Sequence, residues 1–199
     1  MISIYSVQRE FKKSLNQLFS KSEVSLIWNQ WVIKEILGIS LTDYVLASNI
    51  VITEKQLNKT HALITHLLNN QPIQYFFGYT YFKGIKIEVS PHVLIPRVET
   101  EELVDLVVDS FLKNKTKKMN ILDIGTGSGC VSIALKKNIE SNFFALDICE
   151  KALKHAKVNA ENNNTPIHFF LFNILNDDPS NMPVFDVIVS NPPYVLPDE

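Results

Sequence analysis

The sequence predicts an α/β fold in which a parallel sheet wound by helices follows a small helical bundle and a β-hairpin. Three observations carry this expectation. Residues 1 to about 70 contain Gly38 as their sole glycine, have no proline, and space their apolar side chains at helical intervals. The stretch from Pro72 to Arg97 is rich in aromatic and β-branched residues and is broken at Gly78 and Gly84. From Ile121 onward, short apolar runs alternate with helical segments, the rhythm that right-handed crossovers give to a parallel sheet.

Within the first stretch, Val24, Ile27, Trp28, Trp31, Glu35 and Ile36 lie on one helical stripe, with Ser22 as its N-cap and Gly38 as its stop. The two tryptophans at that spacing read as core. Thr53-Glu54-Lys55-Gln56 is a capping box opening another helix, whose apolar surface is carried by Leu57, Ala62, Leu63, Ile64, Leu67 and Leu68. Phe82-Lys83-Gly84-Ile85 reads as a hairpin turn, with Ile85, Ile87 and Val89 alternating against Lys86 and Glu88. A helix is expected over 99–111. Then come a strand at 121–124, a helix at 130–137, a strand at 143–147, a helix at 150–162, and strands at 167–172 and 185–189. The expected domains are a helical one at 1–70, a β-hairpin linker at 71–97 and the sheet domain at 98–199.

Composition excludes several classes. With 46% hydrophobic and 20% charged residues over 199 positions, the chain can bury one or two cores. No apolar run approaches the ~18 residues of a membrane span, and Met1-Ile2-Ser3 lacks the basic start of a signal peptide, so a soluble cytoplasmic protein with no membrane partner is expected. Cys130 and Cys149 are too far apart for a CxxC pair, so neither a disulfide framework nor a metal site is expected. A formal charge of -2 supplies no global attraction to nucleic acid, and no direct nucleic-acid partner is expected.

Two motifs carry chemistry. Gly125-Thr126-Gly127-Ser128-Gly129 follows a strand and opens a helix, so its glycines let the backbone turn sharply and approach a ligand. Its G-x-G-x-G spacing is neither the dinucleotide fingerprint nor a Walker loop, which speaks against phosphate and for a ligand carrying an amino-acid moiety and a nucleoside. Asp147 ends the next strand, twenty residues after Gly127, where a carboxylate can accept from both ribose hydroxyls. Asp123 could orient the loop from beneath, or simply cap N–H groups at the strand end. These features resemble the S-adenosylmethionine (SAM) sheet of class I methyltransferases, a Rossmann-like architecture.

The second motif is Asn191-Pro192-Pro193-Tyr194, at the end of a strand expected beside the first. The prolines donate no N–H and leave nearby carbonyls as acceptors, and Asn191 adds a side-chain carbonyl. Acceptors converging on one point hold an –NH2 group by both protons, and Tyr194 can lie flat on a planar amide or base. Methyl transfer to such a nitrogen needs positioning more than a strong base. By itself the motif fits exocyclic amines of nucleic-acid bases and glutamine amides of proteins equally.

Residues 71–104, "QPIQYFFGYTYFKGIKIEVSPHVLIPRVETEELV", together with the glycine loop and "VSNPPYV", resemble the HemK/PrmC family of protein-glutamine N5-methyltransferases. The resemblance implies a helical domain that recognises class 1 peptide chain release factors and a SAM domain that methylates the glutamine of their Gly-Gly-Gln tripeptide. It implies cofactor contacts from Gly125, Thr126, Gly127, Ser128, Gly129, Asp147 and Asn191, and substrate contacts from Asn191, Pro192, Pro193 and Tyr194. Where the family has an acid and an aromatic residue near the adenine, this chain has Asn173 and Ile174. Val98 stands where the family has proline, between Arg97 and Glu99, which order the segment over the pocket or form a structural link. A branch acting on a ribosomal protein shares the motif, and a nucleic-acid amino-methyltransferase or a non-catalytic binding module are the alternatives. The family also continues past the motif, so a sheet of order 3-2-1-4, incomplete at its C-terminal side, and a truncated chain are expected.

Overall fold

Polar caps set where the helices of the first seventy residues begin. The computed structural model describes residues 2–47, 49–114 and 118–192, and the chain divides into two compact units, Met1–Phe76 and Phe77–Glu199. In the first unit β1 (Ile2–Ser3) pairs antiparallel with β2 (Val51–Ile52). Ser3 then caps α1 (Ile4–Leu15), which buries Ile4, Val7, Phe11 and Leu15 along one stripe. The N-cap of α2 (Lys21–Ile27) is Ser20 rather than the expected Ser22. Glu23 lies three residues after Ser20, and the pair closes a reciprocal box: Glu23 N–H donates to Ser20 Oγ at 3.3 Å and Ser20 N–H to Glu23 Oε2 at 2.8 Å.

α2 runs directly into a π-helical stretch, Trp28–Ile36, whose wider turns are closed by bonds such as Leu37 N–H to the Val32 carbonyl at 2.9 Å. Wider turns rotate the stripe. Trp28, Trp31, Val32, Ile33 and Ile36 are buried, whereas Glu35, placed on the same face by α-helical spacing, is exposed. The Trp28 ring packs edge-on against Phe11 at 5.3 Å, so the tryptophans are core, and Gly38, with φ +70, ends the segment. α3 (Leu41–Leu46) follows. The Thr53–Gln56 box opens α4 (Glu54–Leu68), with Leu63, Ile64 and Leu67 buried and Leu68 exposed, and α5 (Ile73–Phe77) comes next.

In the second unit β3 (Tyr79–Phe82) and β4 (Ile85–Glu88) form the hairpin around Lys83 and Gly84, both with positive φ (49 and 73). Two left-handed residues make the turn whose twist matches that of the strands. Ile87 and Val89 are buried, and Lys86 and Glu88 are exposed. The sheet then builds from α6 (Glu99–Asn114), β5 (Asn120–Ile124), α7 (Cys130–Asn138), β6 (Asn142–Asp147), α8 (Glu150–Asn162), β7 (His168–Leu171) and β8 (Val187–Ser190). All pairings within this sheet are parallel and the order is β7-β6-β5-β8, the expected 3-2-1-4. Ile121, Leu122, Ile133, Leu135, Phe143 and Ala145 fill the core around it.

At the amino end of the sheet the strands are laced by polar groups. Asn120 N–H donates to Asp186 Oδ2 at 2.8 Å, Asp186 N–H to the Asn120 carbonyl at 2.9 Å, Asn120 Nδ2 to the Val184 carbonyl at 2.9 Å, and Asn142 Nδ2 to Asn120 Oδ1 at 2.9 Å. The register Ile121↔Val187 follows from this lacing. No helix among the described residues is long and apolar enough to cross a membrane.

Candidate active site

The loop between β5 and α7 turns three times through left-handed backbone, at Gly125 (φ +72), Gly127 (+54) and Gly129 (+81). A Cβ at Gly125 or Gly127 would meet no heavy atom within 4 Å, which leaves room for a ligand, whereas one at Gly129 would stand 3.1 Å from Ala156 Cβ. Glycine is therefore needed for conformation at the first two and for helix packing as well at the third. Most amides of the loop are spent internally. Gly125 and Thr126 N–H donate to the Leu146 carbonyl (2.9 and 3.0 Å), Gly127 N–H to Asp147 Oδ2 (2.8 Å) and Gly129 N–H to the Thr126 carbonyl (2.8 Å). A phosphate would find those donors taken, which fits a ligand recognised by other means.

Asp123 sits beneath the loop, buried, and its Oδ2 accepts from Thr126 Oγ1 at 2.7 Å and Ser132 Oγ at 2.6 Å. Burial pushes its carboxyl above the usual carboxylate range, with the two hydroxyls opposing the shift and Asp147 adding to it. Of the two readings of Asp123, loop orientation matches its bond to Thr126. Burial likewise pushes the Cys130 thiol up to about 12, so the thiol stays protonated at neutral pH.

Asp147 ends β6 and is buried. Its Oδ2 holds the Gly127 amide and its Oδ1 accepts from Cys149 N–H at 2.9 Å. Each carboxylate oxygen retains a further lone pair for a ribose hydroxyl. Phe172 N–H donates to the Asp147 carbonyl at 3.1 Å, which brings the turn at Asn173 to the end of β6. There Asn173 Oδ1 accepts from Leu175 N–H at 3.0 Å and Asn173 N–H donates to Asp177 Oδ2 at 2.7 Å, while Ile174 is exposed. Asn173 therefore winds its own turn beyond the end of β7.

Asn191 follows β8 and shares a cleft of about 70 Å³ with the loop, lined among others by Gly125, Thr126, Gly127, Ser128, Arg97 and Thr100. Asn191 Nδ2 donates to Thr100 Oγ1 at 2.9 Å, which sets the amide's orientation with Nδ2 toward α6. Arg97, Glu99, Thr100 and Asn191 also line an adjoining cleft. The exposed Arg97 thus belongs to both clefts, while Val98 is exposed at the helix start. Pro192 is exposed; Pro193 and Tyr194 lie outside the described residues.

The sequence reading missed Thr100, Ser132 and Asn159, whose partners stand far off in the chain or beneath the loop. The polar spacing of His155, Asn159, Asn162 and Asn163 on one face of α8 was the available signal for the last of these.

Residues 100–198 match the family "Methyltransferase small domain". A release factor glutamine methyltransferase of Flavobacterium psychrophilum is 38% identical over 195 residues, covering 96% of this chain and 67% of that protein. Its counterpart in Bacteroides thetaiotaomicron is 36% identical, covering 94% of this chain and 66% of that protein. Among solved structures, the Pyrococcus abyssi tRNA (uracil-54, C5)-methyltransferase in complex with S-adenosyl-L-homocysteine is similar at 24% identity and a TM-score of 0.45, covering 57% of this chain and 28% of that chain. The chain spans about two thirds of the length of the curated relatives it matches. Near-complete coverage of the chain at this identity, over both the helical and the sheet unit, leads to one assignment: the chain belongs to the release factor glutamine methyltransferase family, SAM-dependent enzymes of the class I fold.

Proposed function

We propose that this chain transfers the methyl group of SAM to the side-chain amide nitrogen of the glutamine in the Gly-Gly-Gln motif of class 1 peptide chain release factors, in the cytoplasm. The observation that carries the reading is the shared cleft: Asn191, at the carboxyl end of β8, and Gly125, Thr126, Gly127 and Ser128 of the loop at the carboxyl end of β5 border one space. Family membership supports the choice of a protein glutamine over a nucleic-acid amine.

In this reading the loop holds the methionine moiety, Asp147 the ribose hydroxyls, and Asn173 with Ile174 the adenine. Asn191 presents its amide to the glutamine –NH2, flanked by the carbonyls that Pro192 and Pro193 leave without N–H competitors, and Tyr194 covers the amide plane. Bound SAM supplies an electrophilic methyl on a sulfonium. The N–C bond forms as the S–C bond breaks, and the nitrogen gives up one proton to solvent. The protein's share is alignment, with the reacting atoms held ~3 Å apart, and acceptor stabilisation of charge growing on the nitrogen. Residues 1–70 serve as the recognition domain, 71–97 as the hairpin linker and 98–199 as the cofactor domain.

Incubating the protein at its natural length with methyl-labelled SAM and a purified class 1 release factor tests the reading. Label on the Gly-Gly-Gln glutamine, located by peptide mass spectrometry and absent with a Gly-Gly-Ala release factor, is the expected result. Label in ribosomal protein instead changes the substrate; label in RNA or DNA moves the enzyme to the nucleic-acid class.

A further inference from the structure

Helix α8 meets the hairpin strand through a row of polar side chains. His155 Nε2 lies 2.7 Å from Ser90 Oγ, Asn162 Nδ2 donates to Glu88 Oε1 at 3.0 Å, and Asn163 Nδ2 donates to the Lys86 carbonyl at 3.2 Å. Between them stands Asn159, with no exposed surface. Its Oδ1 accepts from Glu88 N–H at 2.7 Å and its Nδ2 donates to the Glu88 carbonyl at 2.9 Å, so the side chain pairs with β4 as a neighbouring strand would. The same Nδ2 donates its other proton to the Ser128 carbonyl at 2.9 Å, inside the glycine loop. One turn earlier on α8, Ala156 is the atom-for-atom limit on Gly129.

A primary amide has two donors and one acceptor oxygen, and all are occupied here. A buried amide so fully bonded specifies geometry, because any apolar replacement strands the Glu88 N–H and two carbonyls. The bonds connect two things that the chain separates widely: the loop at 125–129, and the hairpin whose continuation supplies Leu94, Pro96, Arg97 and Thr100 to the cleft.

We infer that Asn159 is a positioning residue for the cofactor, holding the Ser128 carbonyl and the 125–129 turn in fixed register with the hairpin and so with the far wall of the cleft. It touches neither reacting group. The inference rests on the reading that this loop binds SAM. A turn held in shape before binding has less freedom to lose on binding, and loosening it weakens cofactor affinity while leaving the release factor's own contacts alone.

The experiment compares the wild-type protein at its natural length with N159A, N159D and N163A. N159D keeps the acceptor for Glu88 N–H and loses both donated bonds. N163A removes a bond from α8 to the same hairpin, together with one to the Asn159 backbone carbonyl, without reaching the loop or the Asn159 side chain, and so controls for hairpin docking. Titration calorimetry with SAM should show the Kd rising about tenfold in N159A and N159D, the worth of one hydrogen bond expressed in the bound state, and staying within about twofold in N163A. Steady-state assays should place the same change in the KM for SAM, with the KM for release factor unchanged. Folded N159A and N159D binding SAM as wild type does would overturn the inference, as would an equal loss in N163A. Unfolding of both Asn159 variants at 25 °C would make the residue a core element and overturn it too. A wild-type protein silent toward SAM would remove the cofactor reading itself, and this inference with it.

Discussion

Asp123 gives the site an acid–base signature opposite in sign to that of a salt-bridged carboxylate. Because burial raises its folded pKa above the unfolded value of about 3.9, the folded state binds the proton more tightly. Its contribution to stability is thus fullest below pH ~3.9 and declines as pH rises from there through the folded pKa. D123N, which does not titrate, should gain on wild type across that rise, as read from urea midpoints at a series of pH values. D123A should cost about 2–4 kcal/mol at neutral pH, since the Thr126 and Ser132 hydroxyls lose their acceptor. Thr100 acts at the other wall of the cleft. T100V should lower kcat about tenfold by releasing the Asn191 amide, with T100S restoring it. Glycine spacing and strand-end position made the places of Gly125–Gly129, Asp147 and Asn191 in the fold legible in the sequence. Thr100 was not, because it lies 91 residues from Asn191 and nothing local marks it.

Elements were legible where a local signal fixes them. The Thr53–Gln56 box is one, and T53A should cost the first unit about 1 kcal/mol. Tryptophan fluorescence in urea reads that loss, since the chain's two tryptophans, Trp28 and Trp31, both lie in that unit's core. Local signals also misled. Ser22 is two residues from the true cap because the acid that completes the box is Glu23, and a cap is chosen by its partner as much as by itself. Glu35 was placed inward by α-helical spacing, and the π-helical turns of Trp28–Ile36 carry it outward; no propensity announces such a winding. The hairpin turn was readable from Lys83-Gly84, but its seat on α8 depends on Asn159, 71 residues downstream.

On the scale of the whole molecule, the alternation of strands and helices made a parallel sheet legible, while its 3-2-1-4 order was expected from the family resemblance and is the order found. Ligand linkage is the matching prediction. SAM at a hundred times its Kd should slow globally limited amide exchange in β5 and β6 by about a hundredfold, measured by hydrogen–deuterium exchange; no slowing would mean that the sheet unit does not hold the cofactor. The laced amino end of the sheet has a further consequence. Asn120 and Asp186 grip each other's backbones there, while Asn191 stands five residues along the same strand line, roughly 16 Å away at ~3.3 Å per residue. The sheet therefore works as a ruler whose zero mark is at the end remote from chemistry. A slip of one notch at Asn120 moves Asn191 by a whole residue and turns it to the opposite face, so two side chains at the far end of the sheet decide which way Asn191 faces at the cleft.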